Sequence, residues 1–373
     1  IGHRDGFGFL VPDDGSDDLY LSARQMQLVF HGDRVLARVI GTDRRNRREG
    51  VIAEVLERNT PSLVGRFFTE KGVAFVVPSN NRISQDILVG VDDQSAAKSG
   101  QIVVVEITSY PSFRKQAIGR ITEILGEHMA PGLEIEVAIR NYNLPHVWPD
   151  SVQEEIAALQ AGVLPQDEQA DRVDLQSLAF VTIDGADAKD FDDAVYCERE
   201  KKQWRLVVAI ADVSHYINPQ SELDKEAQAR GNSVYFPNSV LPMLPEILSN
   251  ELCSLKPNVN RHCMVCDMLI SNKGELKRFQ FYPALIHSRA RLIYNEVAAW
   301  LERQKCPSAY KSLLPHLQNL HALYQLLRQN REARGAIDFE STETQVIFGP
   351  DRKIKQIIPS ERTVAHRIIE ECM

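Results

Sequence analysis

The chain has 373 residues, of which 43% are hydrophobic and 25% are charged, as in an ordinary soluble globular protein. Its formal net charge of -8 excludes a simple basic nucleic-acid binder. It does not exclude an enzyme acting on nucleic acid, because bound metal can offset an acidic site. No apolar run approaches the ~20 residues of a membrane span, the N-terminus lacks the regions of a signal peptide, and six cysteines are too few for a disulfide framework. We therefore expect a cytoplasmic protein of about two to four domains.

Short β elements separated by polar turns fill the first third of the chain. In residues 1–58 we predict strands over Gly6–Val11, Leu19–Ser22, Arg34–Ile40 and Val51–Leu56, and residues 59–128 continue in the same way. The letters GFGFLVP, which begin at Gly6, are echoed by GVAFVVP from Gly72, which indicates a duplicated module. The two regions are predicted to form small β-barrels.

Aromatic residues mark one strand of the first module. Phe7 and Phe9 alternate, so both rings point to one face of the strand. If that face is open the rings are base-stacking platforms, whereas in the alternative they fill the barrel. The flanking glycines favour stacking, because they leave the rings unshielded, and Tyr20 is the expected neighbour on the next strand. In the second module only Phe75 occupies the matching place, so we expect weaker base contact there.

The sequence contains two basic clusters whose role it does not decide. Arg44–Arg48 lies between two predicted strands, and Arg114 with Lys115 lies in another loop. Each is either a phosphate contact or a solvated hairpin tip.

The rest of the chain is predicted to change class. Residues 129–177 form a connector interrupted by prolines, with one helix over Ser151–Ala161 that Ser151 caps. Residues 178–373 are expected to be an α/β (α+β) domain with strands over Leu178–Ile183, Ala194–Glu198 and Trp204–Ala211 and later helices over residues 291–304, 312–334 and 360–373. The last helical pattern is still running at Met373, so we expect the domain to be incomplete at its C-terminus.

The single CxxC motif has no second set of metal ligands nearby. Cys263 and Cys266 fall in a predicted strand over Cys263–Ile270, so we interpret them as structural.

Five aspartates within ten residues, Asp184 to Asp193, directly follow the strand predicted over Leu178–Ile183. Convergent carboxylates cannot all stay ionised without a counter-charge, and the usual one is a hard cation such as Mg²⁺ or Mn²⁺. A pair of such ions suits phosphodiester hydrolysis. An EF-hand is excluded because Ala186, Ala188 and Lys189 occupy positions that require oxygen ligands. A solvated acidic turn is the alternative.

The segment Thr182–Val195 resembles the RNase II (RNB) family of exoribonucleases. Further matches to that family are Ala209–Ser214, Ser233–Pro237, Leu241–Pro245 and Leu252–Leu255. The resemblance covers essentially the whole chain and implies two cold-shock-like (OB-type) β-barrels followed by an RNB catalytic domain. It also implies processive 3′→5′ hydrolysis of single-stranded RNA, or of structured RNA with a 3′ overhang, to nucleoside 5′-monophosphates.

The same resemblance assigns roles to individual residues. Asp184, Asp190, Asp192 and Asp193 fall on the family's four catalytic carboxylates, which position Mg²⁺; Asp192 is expected to be the most sensitive and Asp187 is not among them. Tyr235 falls on the tyrosine that stacks on the 3′-terminal base, and three further residues fall on RNA contacts: Phe339 at the other end of the stacked bases, and Tyr294 and Glu370 in the catalytic channel, where they help to select ribose.

Each of these RNA contacts has an alternative from the residues alone. Phe339 could belong to the core, Tyr294 could cap a helix, and Glu370 could be a solvated helix residue.

The expected partner is the 3′ end of single-stranded RNA, with the ribosome or ribosomal RNA as a further one and the protein itself a monomer. A second hypothesis is an RNA-binding or RNA-remodelling protein that acts through its cold-shock-like domains and has an inactive acidic site. The spacing of the four aspartates favours the enzyme.

Overall fold

The computed structural model describes residues 1–42, 47–162, 172–237, 239–303, 306–337, 343–350 and 353–373. Arg44, Arg45 and Asn46 of the first basic cluster lie outside these residues, as does Phe339. The chain divides into two compact units, Ile1–His146 with Phe348–Lys353 and Val147–Ile347 with Ile354–Met373. Within the described parts, no helix is both long and apolar enough to cross a membrane.

The first unit consists mainly of β-strands, with two short helices. Its elements are β1 (Gly8–Leu10), β2 (Leu19–Leu21), α1 (Ala23–Met26), β3 (Arg34–Thr42), β4 (Arg48–Glu57), β5 (Ser62–Glu70), β6 (Val73–Pro78), β7 (Ile87–Val89), β8 (Gln101–Ser109), β9 (Ile118–Glu127) and α2 (Leu133–Asn141).

The duplication predicted from the sequence reappears in the strand pairing. The first module forms a sheet of order β1-β2-β4-β3, and the second repeats this order as β6-β7-β9-β8. In each module the two inner strands pair in parallel, β2 with β4 and β7 with β9, and the other neighbours are antiparallel. In the second module β5 pairs with both β6 and β8 and closes a five-stranded barrel. Its interior holds Phe67, Val76, Ile87 and Val103, all almost fully buried.

The remaining elements alternate strands and helices. They are α3 (Asp150–Gln160), β10 (Val173–Asp174), β11 (Val181–Asp184), β12 (Asp193–Glu200), β13 (Gln203–Ala211), α4 (Glu222–Arg230), β14 (Val234–Phe236), β15 (Ser239–Leu241), β16 (Asn260–Ser271), β17 (Leu276–His287), β18 (Ala290–Ile293), α5 (Tyr294–Arg303), α6 (Leu314–Ala333), β19 (Thr344–Phe348), β20 (Ile354–Pro359) and α7 (Val364–Cys372).

A seven-stranded sheet of order β10-β17-β16-β13-β12-β11-β18 organises the second unit. Its side chains alternate between two cores because successive strand residues point to opposite faces. Val195 and Cys197 face a core that includes residues of α5, α6 and α7, whereas Ala194 and Tyr196 face a core that includes residues of α3 and α4. The sheet is therefore covered on both faces, as expected for an α/β domain.

Several local predictions differ from the structure. The helix near Ser151 begins at Asp150 instead, after Pro149, and no side chain caps it. The segment predicted as a connector contains the unpredicted helix α2, in which Leu133 packs with Val64 and Ile102 of the second module. The strand predicted over Cys263–Ile270 is confirmed within β16. Because strand residues three positions apart point to opposite faces, Cys263 and Cys266 cannot face one ion together.

Candidate active site

The sheet places the acidic cluster where two neighbouring strands meet a loop. Asp184 is the last residue of β11 and Asp193 is the first residue of β12. These strands are antiparallel partners, in the register Val181 opposite Val195, so the end of one lies beside the start of the other. The eight residues between them form the acidic loop, Gly185–Asp192, which contains Asp190 and Asp192.

The carboxylates of this site are close enough to perturb one another. Burial and the neighbouring Asp193 raise the pKa of Asp184 to about 7. Burial and Asp192 raise the pKa of Asp193 to about 6, and partial burial with Asp190 raises the pKa of Asp192. Both burial and like charge disfavour ionised carboxylates. The site therefore concentrates negative charge, which the nearby Arg291 offsets only in part.

The chemistry of these donors fits a divalent cation. The Oδ2 atom of Asp184 is buried and has no hydrogen-bond partner, which is an unfavourable state for a carboxylate oxygen. Across the described residues, no three His, Cys, Asp or Glu side chains are arranged as a ready-made metal site. The aspartates thus do not form a closed cage. Mg²⁺ does not require one, since it commonly binds one or two carboxylates and completes its shell with water and substrate phosphate.

Tyr294 lies beside the acidic cluster and Glu370 lies near Tyr294, although both are far from the cluster in sequence. Burial, together with Asp184, Asp193 and Glu370, raises the pKa of the Tyr294 hydroxyl to about 12. Tyr294 is the first residue of α5, which directly follows β18, and β18 is the parallel partner of β11. The structure therefore brings Tyr294, a predicted RNA contact, to the carboxylates and places Glu370, the other one, near Tyr294.

Two residues that the sequence interpretation missed support this pair. The His366 ring stacks on Tyr294 with centroids 3.9 Å apart and an interplanar angle of 19°. Arg362 forms an ion pair with Glu370. The capping box formed by Thr363 and His366 at the start of α7 could have drawn attention to His366. A capping box begins a helix and also fixes the orientation of the side chain at its third position, which here is His366.

Tyr235 lies on the hairpin formed by β14 and β15. Its ring is 69% exposed, and partial burial together with the carboxylates of Asp190 and Asp192 raises the pKa of its hydroxyl. The ring is thus open to a ligand on the side of the acidic loop. The base of the hairpin is held by a hydrogen bond from the Met243 amide to the Ser233 hydroxyl and by another from Arg230 to the Pro242 carbonyl.

The first module carries a cluster of aromatic rings as predicted. Phe9 and Tyr20 are cross-strand partners on β1 and β2, and Phe7 lies 5.8 Å from Phe9 and 5.7 Å from Tyr20 between ring centroids. All three are half-buried rather than part of the core. His3 stacks on Phe7 at 4.3 Å, and the Arg47 guanidinium lies 4.1 Å from the Tyr20 ring centroid.

The reason given above for the flanking glycines is wrong at Gly8. A Cβ atom there would lie 2.4 Å from the Met26 sulfur and 2.7 Å from the Ile1 carbonyl oxygen, so Gly8 is required by packing beneath the strand. Gly6 has a φ of +86° in the turn before β1, a conformation that favours glycine.

In the second module Phe75 has a partner that was not predicted. Phe68 lies directly opposite on β5, with the ring centroids 5.8 Å apart, and the Arg66 guanidinium lies 5.1 Å from the Phe68 ring centroid. Strand alternation buries Phe67 and leaves Phe68 half-buried.

Three family models match consecutive parts of the chain. The RNB domain model matches residues 172–373, which is more than half of the sequence. The cold shock domain model matches residues 75–149, and the ribonuclease B OB domain model matches residues 1–55. The four-stranded sheet of the first module therefore corresponds to the OB domain, the closed barrel of the second module to the cold shock domain, and the α/β domain to the RNB domain.

Sequence relatives agree with this assignment. Ribonuclease R of Escherichia coli (strain K12) is 51% identical over the whole of this chain, which covers 46% of that protein. Ribonuclease R of Acidithiobacillus ferrooxidans is also 51% identical, over 90% of this chain and 77% of that protein. The chain thus spans about half the length of the E. coli relative.

A solved structure shares the fold. Mycoplasma genitalium RNase R in complex with ribose methylated single-stranded RNA superposes with a TM-score of 0.88 at 28% identity, covering 98% of this chain and 58% of that one. The chain belongs to the RNB family, and its relatives include the ribonucleases R named above.

Proposed function

We propose that the protein is a metal-dependent 3′→5′ exoribonuclease. The observation that carries the proposal is the position of Tyr294 beside Asp184 and Asp193, where an unpartnered carboxylate oxygen is buried. A solvated acidic turn would not place an aromatic side chain beside half-buried aspartates. Carboxylates that hold a cation and an aromatic ring that contacts a nucleotide suit a site that binds the end of a polynucleotide.

Asp184, Asp190, Asp192 and Asp193 would hold Mg²⁺ or Mn²⁺. When bound, a pair of such ions activates water and neutralises charge on the phosphate. The protein's part is to hold the carboxylates in place, and the positive charge of the bound ions would favour their ionised form. Asp192 is the exposed member of the group and would therefore be accessible to an entering phosphodiester.

The RNA strand would be held by stacking rather than by base-specific hydrogen bonds. Tyr235 offers an exposed ring beside Asp190 and Asp192, and Tyr294 offers a hydroxyl beside Asp184. Stacking contributes ~1–3 kcal/mol per base and tolerates any sequence. Such a site fits single-stranded RNA, or structured RNA with a 3′ overhang, and release of nucleoside 5′-monophosphates. The RNA-bound Mycoplasma relative supports RNA as the ligand.

The test is hydrolysis of a 5′-labelled RNA with a 3′ overhang, in Mg²⁺ or in EDTA. The wild-type chain is compared with Asp192→Asn and with Asp187→Asn, a matched control that changes an exposed aspartate of the same loop. We expect stepwise shortening that needs Mg²⁺, is abolished by Asp192→Asn and is retained by Asp187→Asn. RNA affinity should be nearly equal in all three proteins.

Two results would contradict the proposal. Parallel loss of hydrolysis and RNA binding in Asp192→Asn would mean that the aspartate is structural. Tight RNA binding by the wild type without any cleavage would favour the alternative, a remodelling protein that acts through its cold-shock-like domains.

A further inference from the structure

The first turn of the acidic loop is held by an arginine from a neighbouring strand. Arg291 lies on β18, opposite Thr182 of β11. Its Nη2 atom donates to the carbonyl oxygens of Gly185 at 2.8 Å and Ala186 at 2.7 Å. These are the two residues that follow Asp184, so the arginine determines how the chain leaves the strand that carries this carboxylate.

The same guanidinium also reaches the far side of the loop. Its Cζ atom lies 5.5 Å from the centroid of the buried Phe191 ring, within the range of a cation–π contact. Phe191 stands between Asp190 and Asp192. The Arg291 side chain thus contacts the chain just after Asp184 and again between Asp190 and Asp192.

A buried serine anchors the loop from the opposite direction. The hydroxyl of Ser254, which has no exposed surface, accepts from the Phe191 amide at 3.1 Å and donates to the Lys189 carbonyl at 3.3 Å. The Leu255 amide donates to the Phe191 carbonyl at 2.8 Å. Arg261 in turn donates to the Ser254 carbonyl at 2.8 Å.

These contacts oppose the electrostatic repulsion between the aspartates of the loop. Several carboxylates in one short loop repel one another, and a free loop would relax by turning them into water. Hydrogen bonds from outside the loop to its backbone oppose that relaxation before any cation arrives. Groups that orient metal ligands in this way act through geometry, not through contact with the reactants.

We propose that Arg291 and Ser254 are positioning residues that clamp the acidic loop, so that its aspartates are already arranged to receive a divalent cation. The inference rests on the proposed function, since it concerns how the same aspartates bind metal. Neither residue needs to touch RNA: both bonds made by Arg291 end on loop carbonyls, and Ser254 is buried.

The chain offers a matched control for each clamp residue. Arg289, two residues before Arg291, also donates through Nη2 to a backbone carbonyl, that of Gln176 at 2.8 Å, outside the acidic loop. Ser288 is as buried as Ser254 and donates to the Ala290 carbonyl at 3.3 Å. The variants Arg291→Gln and Ser254→Ala are therefore compared with Arg289→Gln and Ser288→Ala.

Three quantities are measured for each protein. Mn²⁺ binding is followed by the electron paramagnetic resonance signal of the free ion, kcat and KM are obtained with a 3′-overhang RNA, and RNA affinity is measured in EDTA. Orientation of metal ligands by neighbouring groups is worth about 10- to 100-fold in metal affinity or activity. We expect losses of that size in Mn²⁺ affinity and kcat for the two clamp variants, with unchanged RNA affinity. Arg291→Lys, which keeps the charge but has a shorter side chain without the planar guanidinium that contacts Phe191, should recover only part of the loss.

The outcomes separate the inference from the function. If the wild type cleaves RNA and Arg291→Gln matches Arg289→Gln in Mn²⁺ affinity and kcat, the clamp is disproved and the exoribonuclease stands. Equal losses of Mn²⁺ and RNA affinity in a clamp variant would indicate general misfolding and would also overturn the inference. A wild type that neither cleaves RNA nor binds Mn²⁺ would overturn both proposals.

Discussion

The His366 ring lies almost parallel to the Tyr294 ring, with centroids 3.9 Å apart. It therefore packs against one face of the tyrosine that lies beside the acidic cluster. The imidazole is fixed in turn by its own helix, because its Nδ1 accepts the Thr363 amide at 3.2 Å. Burial lowers the pKa of His366, which keeps this ring neutral near pH 7. A neutral flat ring is the surface on which Tyr294 packs.

Replacing His366 should therefore loosen Tyr294. We expect His366→Ala to lower kcat/KM by about two- to tenfold, since ring stacking is worth about 0.5–1.5 kcal/mol, while His366→Phe retains most of the activity because it keeps a flat ring. His321, which stacks on Tyr324 of α6 outside the proposed site, supplies the control His321→Ala. Kinetics on a short RNA would check this. Equal activity of His366→Ala and His321→Ala would contradict the positioning role.

Asp184 is expected to make the metal-free protein less stable as the pH rises. Its pKa is about 7 in the folded protein against an ordinary value of 3.8, so the folded state binds the proton more tightly than the unfolded state. The resulting stabilisation is complete below about pH 4 and is lost as the pH rises through about 7.

Asp184→Asn, which cannot ionise, should thus be more stable than the wild type at pH 8 by about 1–2 kcal/mol after allowance for solvent screening, and the difference should be much smaller at pH 4.5. Urea denaturation in EDTA at both pH values measures the difference, with Asp187→Asn as the control. Saturating Mg²⁺ should stabilise the wild type and reduce the difference in free energy of unfolding between it and Asp184→Asn. A variant less stable than the wild type at pH 8 would refute the prediction.

Tyr235 should contribute to RNA binding but little to folding. Its exposed ring leaves Tyr235→Ala nearly as stable as the wild type, whereas loss of one stacked base weakens RNA affinity by about 1–3 kcal/mol. Tyr235→Phe should bind almost normally. Val240, directly opposite on the hairpin and also exposed, gives the control Val240→Ala. The RNA affinity of each variant is measured by fluorescence anisotropy with a labelled single strand. Equal affinity of Tyr235→Ala and Val240→Ala would argue against stacking.

The aromatic cluster of the first module should matter for long RNA rather than for the chemical step. We expect the double variant Phe7→Ala with Phe9→Ala to weaken binding of a long single strand by about 1–3 kcal/mol per lost base contact while leaving kcat unchanged. Phe75→Ala, in the second module, should have a smaller effect. If the double variant removed most function while Asp192→Asn were silent, the remodelling hypothesis would replace the enzyme.

Local patterns were sufficient for several strands and for the acidic loop, but not for β18, whose residues 291–293 fall within a predicted helix. Two-residue alternation predicted that Phe7 and Phe9 share a face, and the apolar run before Asp184 predicted a strand ending at the carboxylates. Both depend only on backbone geometry over a few residues. The reason for Gly8 could not be obtained in this way, because the atom that excludes a side chain there is the sulfur of Met26, which comes from α1.

The amino-acid sequence by itself determined which residues carry charge and aromatic rings, the order of the elements and, through its motifs, the family. Only the tertiary structure decided which of them meet. Parallel pairing of β11 with β18 brings Arg291 and Tyr294 to a loop more than 100 positions earlier in the chain, and α7 adds His366 and Glu370. The physical reason is that such contacts follow from sheet order and helix packing, which burial of the two cores selects and which no local periodicity records.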